Sequence, residues 1–154
     1  MMNLCSDVLR VLHGKTLATA ESCTGGGIGN AITGVSGSSA VYKGGIVSYC
    51  NEIKHKLLGV DAQVLESCGA VSAPVAEAMA EGARSALCAD VAVSVTGLAG
   101  PGGDEFGNAV GTVFIGYADG NVTLSRKYHF SGDREMVREQ AVKAALCLIL
   151  EENE

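Results

Sequence analysis

Apolar residues change period several times along the chain, and each change marks a new element. Leu4, Val8, Val11 and Leu12 recur at helical spacing, so residues 3–13 are predicted to form a helix that Gly14 ends. Residues 16–20 are small or β-branched and read as a short strand. Gly25-Gly26-Gly27 then turns the chain into a second helix over residues 28–32. Residues 34–39, GVSGSS, have loop composition. Val41-Tyr42 opens a strand that resumes over residues 46–50. Gly44-Gly45 interrupts it, which marks a bulge or a close approach by another group. Asn51 caps a short helix through Leu58, and residues 62–67 form another.

Ser72-Ala73-Pro74 starts a longer helix, with Pro in the first turn where its missing donor costs nothing. It runs to about Leu87 and presents Val75, Met79 and Ala83 on one face. Residues 90–95 form a continuous apolar strand, expected at the centre of a sheet. Residues 112–118 and 122–130 are two strands around Asp119-Gly120, a hairpin signal. Ser131-Gly132-Asp133 opens a final helix to about Leu150, striped by Val137, Ala141, Ala144, Ala145 and Leu148. Helices alternate with strands and a hairpin comes late. The pattern predicts an α/β fold, a three-layer α/β/α sandwich with a mixed, mostly parallel sheet. We find no repeat, linker or low-complexity tract, so residues 1–154 are expected to form one domain.

Composition narrows the function classes. The 154 residues are 47% hydrophobic and only 18% charged, enough to bury a core without disulfides. The net charge of −6 argues against a nucleic-acid partner, which needs clustered cations. No stretch is apolar enough to span a membrane, and the N-terminus lacks a signal-peptide pattern, so a cytoplasmic location is expected. The six cysteines are widely spaced with no CxxC, and most read as small buried hydrophobes in a reducing compartment. Ligand spacing for zinc is missing, and Asp104-Glu105 reads as a solvated acidic pair, so neither a metal nor a cofactor is expected.

Candidate chemistry concentrates in three loops, residues 21–27, 34–39 and 97–111. The last holds six glycines in fifteen residues. All are rich in glycine and hydroxyls, and ligands of open α/β sheets bind beyond the carboxyl ends of strands. No phosphate-binding P-loop and no GxSxG elbow occur. None of His13, His55 and His129 pairs recognisably with a serine. A lysine can activate a serine when desolvation keeps it neutral, and Ser39, Tyr49 and Lys54 could form such a set. Cys23, in the loop after the first strand, is a rival nucleophile, because a thiolate near a helix N-terminus is activated. Ser22 is a further rival by location.

Several stretches resemble the C-terminal domain of the competence/damage-inducible protein CinA. They are AESCTGGGIGNAITGVSGSSAVYKGGIVSYCNEIKHKLLGV, GAVSAPVAEAMAEGA, SVTGLAGPGG, VGTVFIGYA and FSGDREMVREQAV, in this order. The match covers nearly the whole chain. It implies an α/β/α sandwich, often a homodimer. It also implies a nicotinamide-nucleotide amidase, converting nicotinamide mononucleotide and water to nicotinate mononucleotide and ammonia. The resemblance carries a serine–lysine mechanism assisted by a tyrosine, placed here on Ser39 in GSS, Lys54 in NEIK and Tyr49 in VSYC. Glu21, Ser22, Thr24, Gly25, Gly26 and Thr96 would line the pocket. Arg134 with the Gly100–Gly103 loop would hold the phosphate.

Cys50 departs from the family pattern, standing where many relatives have serine. In many relatives the domain follows a larger one linked to nucleotide pyrophosphatase activity. The chain begins without it, which leads us to expect a stand-alone amidase. Two other readings remain: a non-catalytic nucleotide-binding module, and an amidase acting on a related pyridine nucleotide.

Overall fold

The computed structural model describes residues 1–154. In chain order its elements are α1 (Met2–Val11), β1 (Leu17–Glu21), α2 (Gly27–Thr33), a 3-10 turn (Ser38–Ala40), β2 (Tyr42–Val47), α3 (Asn51–Leu58), α4 (Ala62–Cys68), α5 (Ala73–Ala86), β3 (Val91–Gly97), β4 (Thr112–Ala118), β5 (Thr123–His129) and α6 (Arg134–Asn153). The strands form one sheet in the order β2-β1-β3-β4-β5. β1 pairs parallel with both β2 and β3, and the β3–β4–β5 pairs are antiparallel. Four of the five strands therefore run in one direction.

Helices cover both faces. α1, α2 and α6 pack on one face over a core that includes Leu12, Leu17, Ile28, Ile32, Val93 and Leu146. α3, α4 and α5 cover the other over Ala18, Ala20, Leu58, Leu65, Val75 and Met79. β3 is the central strand, and residues Val91–Thr96 are all buried. Burial on both faces is why that segment shows no polar alternation in the sequence.

β2 runs unbroken through its two glycines, but its pairing with β1 slips there: Leu17 faces Tyr42 and Ala18 faces Gly44, which leaves Lys43 as the extra residue. A Cβ on Gly45 would lie 2.2 Å from Thr19 Oγ1 and 2.6 Å from the Tyr42 hydroxyl. Those two side chains hydrogen-bond to each other at 2.7 Å over the space it would occupy. The cysteines depart from expectation. All six are free thiols, but only Cys5 and Cys23 are buried. Cys88 follows the end of α5 with φ at +50°, and Cys147 lies on the outer face of α6, so both side chains reach solvent.

α5 crosses α3 at Gly82. A Cβ there would stand 1.9 Å from the Leu58 carbonyl oxygen, in backbone that cannot swing aside. Gly82→Ala should therefore destabilise the fold by about 3 kcal/mol despite alanine's better helix propensity. For a domain of this size that lowers Tm by roughly 6–12 °C, which thermal denaturation followed by circular dichroism will read.

Candidate active site

Side chains alternate between the two faces of a strand, and β1 carries that alternation to its last residue and one step beyond. Leu17, Thr19 and Glu21 face α1, α2 and α6. Ala18 and Ala20 face α3 and α5, and Ser22 continues their row. The strand thereby separates two adjacent polar residues into different tasks.

Glu21 goes to the start of α2. Its carboxylate accepts from Thr24 Oγ1 at 2.7 Å, the Ile28 N–H at 2.8 Å and the Gly29 N–H at 3.0 Å. The side chain is 2% exposed and lies beneath the floor of the site. Three donors, two of them at the positive end of a helix, hold this buried carboxylate in place. Thr24, Gly25 and Gly26 build the same turn. The left-handed φ values of Gly25 (+59°) and Gly26 (+101°) let the chain reverse into α2 within it.

Ser22 points the other way. β1 and β2 are parallel, so their carboxyl ends meet, and the Ser48 N–H donates to the Glu21 carbonyl at 2.8 Å. α3 starts three residues later and carries Lys54 back over the strand ends. Lys54 Nζ donates to Ser22 Oγ at 2.9 Å, to the Ser48 carbonyl at 2.8 Å and more distantly to the Tyr49 carbonyl at 3.5 Å. Lys54 is 1% exposed, and no carboxylate pairs with it. Burial lowers its pKa below the usual lysine value of 10.5, while nearby Cys50 and Cys23 act weakly in the opposite direction. A buried amine without a counter-ion favours its neutral form, whose lone pair is basic.

Cys23 sits beside this pair but is not poised to react. Burial pushes its thiol up to about 11, outweighing the help it receives from Lys54 and Arg138. At neutral pH it stays protonated, and the thiol is a poor nucleophile in that form.

Ser22, Cys23, Lys54 and Thr96 open onto a cavity of about 530 Å³. Thr96 closes its wall and donates to the Ala70 carbonyl at 2.8 Å. The glycine-rich segment after β3 forms the opposite rim. Asp104 organises that rim, accepting from the Phe106 N–H at 3.1 Å, the Asn108 N–H at 3.0 Å and Asn108 Nδ2 at 2.8 Å. Phe106 lies over Gly69, where an added Cβ would come within 2.6 Å of the ring. At the mouth, Arg134 donates to the Gly100 carbonyl at 2.6 Å and to the Tyr49 hydroxyl at 3.1 Å.

Of the residues expected in the site, Ser22, Tyr49, Lys54, Thr96, Gly100 and Arg134 line this cavity. Ser39 does not. It is exposed in the 3-10 turn that precedes β2, whereas Lys54 follows that strand. The six residues of β2 carry the chain roughly 20 Å from the amino ends of the parallel strands to their carboxyl ends, and Ser39 is left at the wrong end. Glu21, the Thr24 side chain, Gly25 and Gly26 support the site from behind rather than line it. Tyr49 meets Lys54 through its carbonyl, while its hydroxyl serves Arg134, so no proton relay from the phenol to Lys54 is built. Sequence reasoning missed Asn51 and Phe106, both on the cavity wall. An exposed aromatic residue in a chain that is only 5% aromatic was the available signal for Phe106.

Residues 2–153 match the family model for the CinA C-terminal domain. The chain belongs to the CinA C-terminal domain family. Among curated relatives it is 50% identical over 151 residues to a CinA-like protein of Synechococcus sp. (strain RCC307), covering 96% of this chain and 36% of that protein. It is 53% identical over 133 residues to a CinA-like protein of Geotalea daltonii, covering 86% and 32%. The chain thus spans about a third of the length of these relatives. The family fold is equally plain in solved structures. A competence-damaged protein (CinA) superfamily protein from Escherichia coli superposes with a TM-score of 0.96 at 37% identity, covering 98% of this chain and 89% of that one. A competence/damage-inducible protein from Agrobacterium tumefaciens gives 0.95 at 37% identity, covering 99% and 95%. No helix is long and apolar enough to cross a membrane.

Proposed function

We propose that this chain is an amidohydrolase that converts nicotinamide mononucleotide and water to nicotinate mononucleotide and ammonia, with Ser22 as nucleophile and Lys54 as its base. The observation that carries the reading is the buried, carboxylate-free Lys54 Nζ 2.9 Å from Ser22 Oγ at the floor of an open cavity. Binding alone would not require an amine to be held in so costly a place.

The neutral Lys54 amine takes the proton from the Ser22 hydroxyl as Oγ attacks the carboxamide carbon. The tetrahedral intermediate collapses when the C–N bond breaks, and Lys54 returns that proton to the departing nitrogen, which leaves as ammonia. Water then enters. Lys54 takes its proton, the hydroxide adds to the acyl carbon, and the ester bond to Ser22 breaks. Ser22 recovers its proton and the carboxylic acid departs. The Ser48 and Tyr49 carbonyls hold the amine's hydrogens, which leaves its lone pair directed at Ser22.

The charge distribution supports a nicotinamide nucleotide. The pyridinium ring is cationic and the phosphate anionic, and the cavity mouth carries both signs. Asp104 and Glu105 lie on the glycine-rich rim, and Arg134 stands against the start of the same segment at Gly100. The exposed faces of Tyr49 and Phe106 suit a flat ring. Arg134 and the Gly100–Gly102 backbone remain the phosphate donors in this reading. Homodimer assembly remains part of the same proposal.

Incubation of the purified chain with nicotinamide mononucleotide should release ammonia and nicotinate mononucleotide in equal amounts. Tight binding with no product, unaffected by Ser22→Ala, would instead make the chain a nucleotide-binding module. Turnover of a related pyridine nucleotide in preference would reassign the substrate and keep the mechanism.

A further inference from the structure

Arg138 reaches from the second turn of α6 to the loop that follows the nucleophile. Its Nε donates to the Cys23 carbonyl at 3.0 Å and its Nη2 to the Thr24 carbonyl at 3.3 Å. No carboxylate pairs with this guanidinium, although Glu135 and Glu139 flank it on the helix. Its donors are therefore aimed at the backbone just after Ser22. Arg134, one turn earlier, holds the Gly100 carbonyl in the same manner. One face of α6 thus pins both loops that border the cavity.

The direction of these carbonyls has a consequence. A trans peptide is planar, and its C=O and N–H point opposite ways. The Cys23 carbonyl points to α6, on the α1/α2/α6 face of the sheet. The Thr24 N–H of the same peptide therefore points to the other face, where Ser22 Oγ and Lys54 lie. The Thr24 N–H finds no acceptor in the chain, although Thr24 is 1% exposed. Buried backbone donors without partners are rare. One placed two residues after a candidate nucleophile is a donor available to an oxyanion.

We propose that Arg138 is a positioning residue. By holding the Cys23 carbonyl against α6, it turns the Thr24 N–H toward the oxygen of the group that Ser22 attacks, while its bond to the Thr24 carbonyl steadies a turn that the Gly25 N–H closes onto the Ser22 carbonyl at 3.0 Å. The guanidinium also draws electrons from the Cys23–Thr24 peptide, which strengthens its N–H as a donor. This inference rests on Ser22 being the nucleophile, but not on the identity of the substrate.

The test uses two readouts. The first is steady-state hydrolysis of nicotinamide mononucleotide by the wild type, Arg138→Met and Arg138→Lys. The second is the rate at which a fluorophosphonate labels Ser22. In that reaction the Ser22 Oγ–P bond forms, the P–F bond breaks, fluoride leaves, and Lys54 takes the hydroxyl proton. The P=O oxygen then occupies the place of the amide oxygen.

Arg138→Met should lower kcat about 10²-fold, the effect of losing one oxyanion donor, with KM within about twofold of wild type. It should slow labelling to a similar degree. Arg138→Lys should fall between the two. Guanidinium chloride, well below denaturing concentration, should partly restore Arg138→Ala. The side chain lies at the surface, so circular dichroism should show all variants folded.

Unchanged kcat and labelling in Arg138→Met would overturn the proposal, as would a loss confined to KM. If the wild type labels at Ser22 but leaves nicotinamide mononucleotide intact, the substrate reading fails and the labelling rates still decide the role of Arg138. A wild type that neither labels nor turns over would remove both.

Discussion

Ser22→Ala is expected to lower ammonia release from nicotinamide mononucleotide by about 10⁶-fold, as removal of a serine nucleophile does elsewhere. Ser39→Ala should turn over at the wild-type rate. The contrast follows from placement. Ser22 Oγ lies 2.9 Å from a buried amine, whereas Ser39 is exposed at the opposite end of β2. Removing the Ser22 hydroxyl leaves the cavity walls in place, so the substrate should still bind, and calorimetric titration of Ser22→Ala should give a dissociation constant near the wild-type value. Equal loss in Ser39→Ala, or full activity in Ser22→Ala, would sink the assignment. Activity retained in Ser22→Ala and lost on alkylation would point to Cys23 despite its raised pKa.

Lys54→Met should cost about 10⁴-fold in kcat/KM, because the hydroxyl loses its base while the side-chain volume is kept. The pH dependence gives the sharper test. The base works only when neutral, so wild-type kcat/KM should rise with pH along a limb that lies below 10.5, since burial lowers the pKa of Lys54. Stability should follow the same sign. Between the folded and unfolded pKa values the unfolded chain binds more protons, so the free energy of unfolding rises with pH in that window. Below the window, the folded state carries a charged, unpaired ammonium and bears the full penalty. Lys54→Met removes the group from both states. Denaturant midpoints measured from neutral to alkaline pH should lose this upward slope in the variant. A slope that persists unchanged would mean that Lys54 is not the group responsible.

The hydrophobic pattern alone was enough to predict the layers. Helical spacing, short apolar or β-branched runs and turn signals marked every strand and helix to within a few residues. The apolar run around Val91–Val95 correctly announced the central strand. The motifs running through the chain placed it in its family. They also singled out Lys54, Thr96, Gly100 and Arg134, which do meet at one cavity.

Pairing the lysine with its serine was a different problem, because proximity along the chain misleads here. Ser39 is nearer to Lys54 in sequence than Ser22 is. A parallel sheet, however, joins the carboxyl ends of its strands, and Ser39 stands before β2, at the opposite, amino end. β1 brings Ser22 to Ser48 and hence to Lys54. Predicting β1 to end at Ala20 also hid the alternation that sends Glu21 to cap α2 and Ser22 to the cavity.

The sequence by itself determined the element order, the two-sided burial and the residue types available for chemistry, because those depend on local propensity and hydrophobic period. Only the tertiary structure decided which serine meets the lysine, which carboxylate is structural, and which arginine holds the loop behind the nucleophile. Those depend on strand direction and peptide orientation, which bring together residues as far apart in the chain as Cys23 and Arg138.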